Sequence, residues 1–161
     1  MSEHVATVRW TLTNAGDDFL ARRYSRVHTW TFDGGVTIPA SPSPSVVPAP
    51  YSNAAAVDPE EAFVAAVSSC HMLQYLFLAA QAGFLVHSYE DTAVGTMTKN
   101  EHGVPWVSTV TLAPRIVYDT ANSPSVEEED RLHHEAHETC FIANSIKTNV
   151  VVTRGEADGH S

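Results

Sequence analysis

The sequence predicts a domain of mixed helix and strand in the order β-β-α-β-β-α-β. Three observations carry that prediction. Five runs read as strands, most of them alternating apolar and polar residues with a period of two. Two segments, around Cys70 and around Cys140, have the length and composition of long helices. Apolar residues make up 43% and charged residues 17% of the 161 positions, enough to bury a core and too little charge for a disordered chain.

Residues 5–12 open the chain as a strand, with Ala6, Val8, Trp10 and Leu12 on one face and Thr7, Arg9 and Thr11 on the other. Residues 14–17 read as a turn. Residues 27–32 form a second strand with His28, Trp30 and Phe32 on one face; Asp33-Gly34-Gly35 breaks it and residues 36–39 resume it. Residues 40–57 form a Pro- and Ser-rich extended loop, because proline removes donors and turns its predecessor away from helix. Val46, Val47 and the prolines still offer packing surface, so the loop is no simple flexible linker.

Asp58-Pro59-Glu60-Glu61 starts the first helix: Asp58 caps, Pro59 suits the first helical position and Glu61 completes a capping box. The helix passes Cys70, ends near Gln81 and stops at Gly83. It is apolar on nearly every side, as a core helix is, and a curved sheet plus a second subunit would cover it. Strand runs at 87–99 and 104–118 follow, joined by an Asn100–Gly103 hairpin turn. Residues 124–144 make the second helix, acidic at its start, and 146–153 a last strand. Residues 155–161 read as a loose tail of what is otherwise one domain over 1–161.

Nineteen acids against nine bases give a formal charge of −10, which argues against nucleic acid and anionic membrane surfaces. The first residues lack the basic start and apolar stretch of a secretory signal, and polar residues interrupt the apolar stretch at Cys70. The expected location is the cytoplasm, where thiols stay reduced and two cysteines suggest redox chemistry or metal binding more than a structural staple.

Chemistry therefore centres on Cys70 and Cys140. A cysteine on an apolar helix serves equally as a small buried hydrophobe. To react, Cys70 needs a cation from elsewhere in the fold, because apolar surroundings disfavour the thiolate. Cys140 is its natural partner as a resolving thiol if the two alpha carbons come within bridging reach. A rival reading takes His133, His137 and Cys140 as zinc ligands on one helix face. Another takes the apolar space between the helices as a site for a hydrophobic ligand. Ser68 and Ser69 are expected to bond back to their own helix, with no nucleophile-elbow motif to suggest otherwise.

The segments DPEEAFVAAVSSCHMLQYLFLAAQAGF (58–84), SYEDTAVGTMTKNEHG (88–103) and HHEAHETCFIANSIKTNV (133–150) closely resemble the osmotically inducible protein C / organic hydroperoxide resistance family. YSRVHTWTFDGG (24–35) resembles the start of its OsmC-like branch. The resemblance implies an α+β fold, with two long, largely buried helices wrapped by antiparallel sheets, in an intertwined homodimer. It implies a peroxidase that reduces organic hydroperoxides, and hydrogen peroxide more weakly, with a cysteine pair and no metal, flavin or other cofactor. It assigns Cys70 as the peroxidatic thiol, Cys140 as the resolving thiol and Glu60 as the acid of the Pro-Glu motif. Arg26 is the best match to the family's arginine, with Arg22 and Arg23 close by. A thiol or a lipoylated protein is the implied reductant, and oxidative or osmotic stress defence the implied role. On this reading Glu60 holds Arg26 by a bidentate pair and Arg26 favours the Cys70 thiolate. Ten residues of unbroken helix would place Glu60 about 15 Å from Cys70, so a helix interrupted after its Pro-Glu turn is expected.

Overall fold

The structure is a computed structural model that describes residues 1–13 and 15–154. Its contacts gather into two compact units, Met1–Ala62 and Phe63–Ser161.

The first unit holds strand β1 (Ala6–Arg9), a short helix α1 (Gly16–Leu20), β2 (His28–Phe32) and β3 (Thr37–Ala40). The strands form an antiparallel sheet in the order β1-β2-β3, with Trp30 between Val8 and Ile38. The β2–β3 turn needs a left-handed residue, and Gly35 supplies it at φ 87°. Two expectations change here. The first strand is shorter than 5–12, and every residue of β1 is exposed in the single chain, so its alternation marks a face that the chain's own atoms leave open. The turn at 14–17 gives way to α1, whose first turn carries Asp17 and Asp18; residue 14 lies outside the described residues. The Pro-rich loop is pinned at Ser41, which is fully buried. Its Oγ accepts the Asn53 N–H at 2.8 Å and its own N–H donates to the Val57 carbonyl at 3.0 Å.

Helix α2 (Pro59–Gln81) begins and ends where its residues dictate. The Glu61 N–H donates to Asp58 Oδ1 at 2.7 Å, and the Asp58 N–H donates to Glu61 Oε2 at 3.1 Å, the reciprocal capping box. Gly83 turns left-handed at φ 87° and lets the Phe84 N–H reach the Ala79 carbonyl at 2.9 Å. Between these ends α2 is continuous, and the expected interruption after the Pro-Glu turn is absent.

The second unit adds β4 (Val86–Asp91), β5 (Val94–Lys99), β6 (Pro105–Leu112), β7 (Pro114–Tyr118), helix α3 (Val126–Thr139) and β8 (Asn149–Val152). Each of the two long strand runs is in fact two strands. β4 pairs with β7, while β5, β6 and β8 form a second sheet in that order. Asp91 sits at the changeover: its carboxylate accepts the Ala113 N–H at 2.8 Å and the Ser68 hydroxyl. One half-buried acid thus fixes the corner in both runs and ties α2 to it. Ser68 bonds to that strand rather than back to its helix. β6 and β8 are parallel, because α3 intervenes as a crossover; the other pairs are antiparallel.

Along α2, Val67 packs in a cluster with Val110 and Leu112, and Tyr75 and Ala79 in a second with Leu132 and Ala136. These residues lie on one face of the helix. The opposite face is bare in the single chain, with Leu73 60% and Phe77 62% exposed. By length and composition α2 could cross a bilayer, yet its buried histidine and its serine are bonded to neighbouring elements. That is how a helix is tied into a domain.

A side chain at Gly95 of β5 would place its Cβ 2.5 Å from Val64 Cγ2 of α2 and 3.4 Å from Val107 Cγ1. Gly95→Ala is expected to cost about 1–3 kcal/mol, read as a lower urea midpoint; an unchanged midpoint would mean that helix and sheet are not packed this closely.

Candidate active site

Cys70 lies in the middle of α2 and is half-exposed; Cys140 caps α3 and is 1% exposed. The second helix stops at Thr139, five residues before the sequence suggested. Its start is fixed by a capping box in which Ser125 Oγ accepts the Glu128 N–H at 3.2 Å and the Ser125 N–H donates to Glu128 Oε2 at 2.8 Å. Cys140 itself takes extended backbone, φ −68° and ψ 116°. Its side chain leaves from the end of α3 near enough to Cys70 for the two thiols to interact. Both are free thiols. Burial, and then the bond to Cys70, push the Cys140 thiol up, and the backbone N–H groups of Ala143 and Ile142 oppose that shift.

Arg26 and Glu60 are not brought into an ion pair. Arg26 Nη1 donates to the Tyr24 carbonyl at 3.0 Å, and its guanidinium lies over the Tyr24 ring at 4.1 Å. No carboxylate pairs with it among the described residues, and Glu60 is half-buried with no polar partner among them. The expected bidentate pair is therefore missing in this single chain. Arg26 does line a cavity of about 480 Å³ in the first unit, with Trp10, Phe19, Tyr24, His28 and Pro59. Pro59 is the residue before Glu60. Arg23, by contrast, is taken by Asp18 at 2.9 Å, and neither Arg22 nor Arg23 lines the cavity. Of the three candidates Arg26 alone lines this cavity. Phe63 packs in the Val67 cluster, while Leu73 and Phe141 are 60% and 75% exposed in the single chain.

The zinc reading takes His133, His137 and Cys140 together. His133 turns inward, its Nδ1 3.0 Å from Nε2 of the buried His71. His134 instead pairs with Glu138 at 3.3 Å, as its acidic neighbours allow. Among the described residues no three His, Cys, Asp or Glu side chains converge as metal ligands. The His71–His133 pair was invisible in sequence, since 62 positions separate its members and each sits among residues that suit a surface or a core equally well. Tyr75 stacks on His133 at 4.2 Å and bonds to Tyr118 through their hydroxyls. Burial holds Tyr75 far above its ordinary value and pushes Tyr118 up to about 12.

The fold and site define a class before they define a family: an α+β domain in which two helices from different parts of the chain present a thiol pair. The OsmC-like protein family model matches residues 52–154. A solved OsmC-like protein of unknown function from Vibrio cholerae is 51% identical, with a TM-score of 0.91 over 96% of this chain and 99% of that one. The chain belongs to the OsmC-like family. Its fold is shared more distantly by an organic hydroperoxide resistance protein OsmC from Legionella pneumophila, at 17% identity and TM-score 0.67 over 96% of each chain. OhrB, the organic hydroperoxide resistance protein of Bacillus subtilis, is 20% identical with TM-score 0.62 over 96% of this chain and 97% of that one. No curated protein matches the chain.

Burial holds His71 and His133 down to about 4; His137 and His71 respectively add to the effect, and Asp91 and Asp130 oppose it. A histidine depressed in the folded state gives stability that is complete above its unfolded value, about 6.5, and is lost as pH falls toward 4. Urea midpoints should therefore drop between about pH 6.5 and 4, and drop less in a His71→Phe/His133→Leu double variant. Equal slopes would remove the pair as a source of acid lability.

Proposed function

We propose that the protein is a thiol peroxidase that reduces organic hydroperoxides to alcohols, and hydrogen peroxide more weakly, through Cys70 and Cys140. The observation that carries this reading is the contact between the two free thiols, one half-exposed and one buried. The Cys70 thiolate attacks the O–O bond of ROOH; the S–O bond forms and RO⁻ leaves, to be protonated as alcohol. Cys140 then attacks the Cys70 sulfenic acid, the disulfide forms and water departs. A dithiol or a lipoyl group on a protein reduces the disulfide by exchange, and no bound cofactor is required. In this account Arg26 favours the Cys70 thiolate and Glu60 orients Arg26. The bare face of α2 and the exposed β1 are the surfaces on which a second copy would build the working homodimer. A cytoplasmic protein of oxidative or osmotic stress defence fits this chemistry.

The direct test is stopped-flow consumption of cumene hydroperoxide with dithiothreitol or dihydrolipoamide. Cys70→Ser is expected to fall to background, and full turnover in that variant would sink the proposal. Cys140→Ser should react once and then stall or over-oxidise to the sulfinic acid, detected by mass. Arg26→Ala should slow the oxidation step roughly ten- to hundredfold, the equivalent of one charge-assisted hydrogen bond; an unchanged rate would take Arg26 out of the site.

A further inference from the structure

The two sulfurs differ in what surrounds them. After Cys140 the chain reverses at once into a 3-10 turn, Ala143–Ser145. The reversal aims the Ala143 N–H at Cys140 Sγ, 3.4 Å away, and the Ile142 N–H faces the same sulfur. Asn144 braces the reversal. Its Nδ2 donates to the carbonyls of Glu138 at 2.8 Å and Cys140 at 2.9 Å, and its own N–H donates to the Cys140 carbonyl at 3.0 Å. Amide N–H groups aimed at a sulfur stabilise the thiolate over the thiol. Cys70, in mid-helix, has its surrounding amides engaged in the helix, and among the described residues no backbone N–H donates to its sulfur. Access runs the other way: Cys70 is half-exposed and Cys140 is 1% exposed.

We propose that Asn144 is a positioning residue that makes Cys140 the leaving thiolate when the Cys70–Cys140 disulfide is reduced, so that a dithiol reductant attacks Cys70. The inference rests on the disulfide of the reading above and adds its direction of reduction. A reductant thiolate bonds to Cys70 Sγ, the Cys70–Cys140 bond breaks, and its electron pair leaves on Cys140 Sγ. The second thiol of the reductant, deprotonated, attacks its own sulfur bound to Cys70. The Cys70 thiolate is released and the reductant departs as a cyclic disulfide, two electrons having passed to the protein. A lower-energy leaving thiolate leaves faster. In the reduced protein the Cys70 contact works against the amides. In the mixed disulfide that contact no longer bears a thiolate, and the amides act against burial alone.

The test makes the disulfide with diamide, so it does not depend on peroxide turnover. The oxidised full-length protein is mixed briefly with 2-mercaptoethanol, quenched with N-ethylmaleimide and mapped by peptide mass spectrometry. The expected product carries mercaptoethanol on Cys70 and maleimide on Cys140, in about tenfold excess over the reverse. An adduct mainly on Cys140, or an even split, overturns the proposal, as does failure of diamide to form the disulfide. In a Cys70→Ser background, adding Asn144→Ala should raise the titration of the Cys140 thiol by about one unit, followed by thiolate absorbance. An unchanged titration removes Asn144 from the role. Selective adducts in a protein that consumes no hydroperoxide would overturn the peroxidase reading and leave this one standing.

Discussion

Everything chemical in this molecule depends on one geometric constraint: α3 must end at Cys140. With φ −68° still helical, the Cys140 side chain leaves from the end of the α3 cylinder, beside Cys70. The extended ψ of 116° reverses the chain that follows and turns the Ala143 N–H back onto the sulfur, 3.4 Å away. The turn that follows closes with Asn144 on the last carbonyls of the helix, groups that would otherwise lack partners. The same few residues thus terminate a helix, satisfy its orphan acceptors and deliver a sulfur.

The second constraint is the placement of α2. One face is locked in by packing at Val67, Tyr75 and Ala79, and by polar ties from Ser68 to Asp91 and from His71 to His133. Cys70 lies between these ties along the helix, so its backbone has little freedom to drift from Cys140. Gly95 removes the side chain that would have kept α2 off β5. The other face carries Leu73 and Phe77 into the open. The second copy proposed above would cover this face, and would account for a sequence apolar on all sides that its own chain only half covers.

Much of the fold was legible because the signals are local. Asp58-Pro59-Glu60-Glu61 and Gly83 bracket α2 to within a residue, since capping and left-handed glycine act over a few positions. The Asn100–Gly103 turn joins β5 to β6 as its residues suggest. What was not legible depends on distant partners. Alternation runs unbroken through the corner at Asp91, because a strand that changes sheets keeps its period of two, and only the Ala113 and Ser68 contacts reveal the break. The early end of α3 was missed because Phe141, Ile142 and Ala143 continue a helical composition; the stop comes from bonds that Asn144 and the turn make. The site was read partly by chemistry and partly by resemblance. Cys70 and Cys140 come near enough to interact, whereas Arg26 and Glu60 have other or no partners in the single chain.

The central claim is that the two thiols act together on a peroxide. The most direct measurement treats fully reduced protein with one equivalent of cumene hydroperoxide, then counts free thiols and cumyl alcohol. The account predicts stoichiometric alcohol and the loss of both thiols to a Cys70–Cys140 disulfide. Intact peroxide with both thiols still titratable would contradict it.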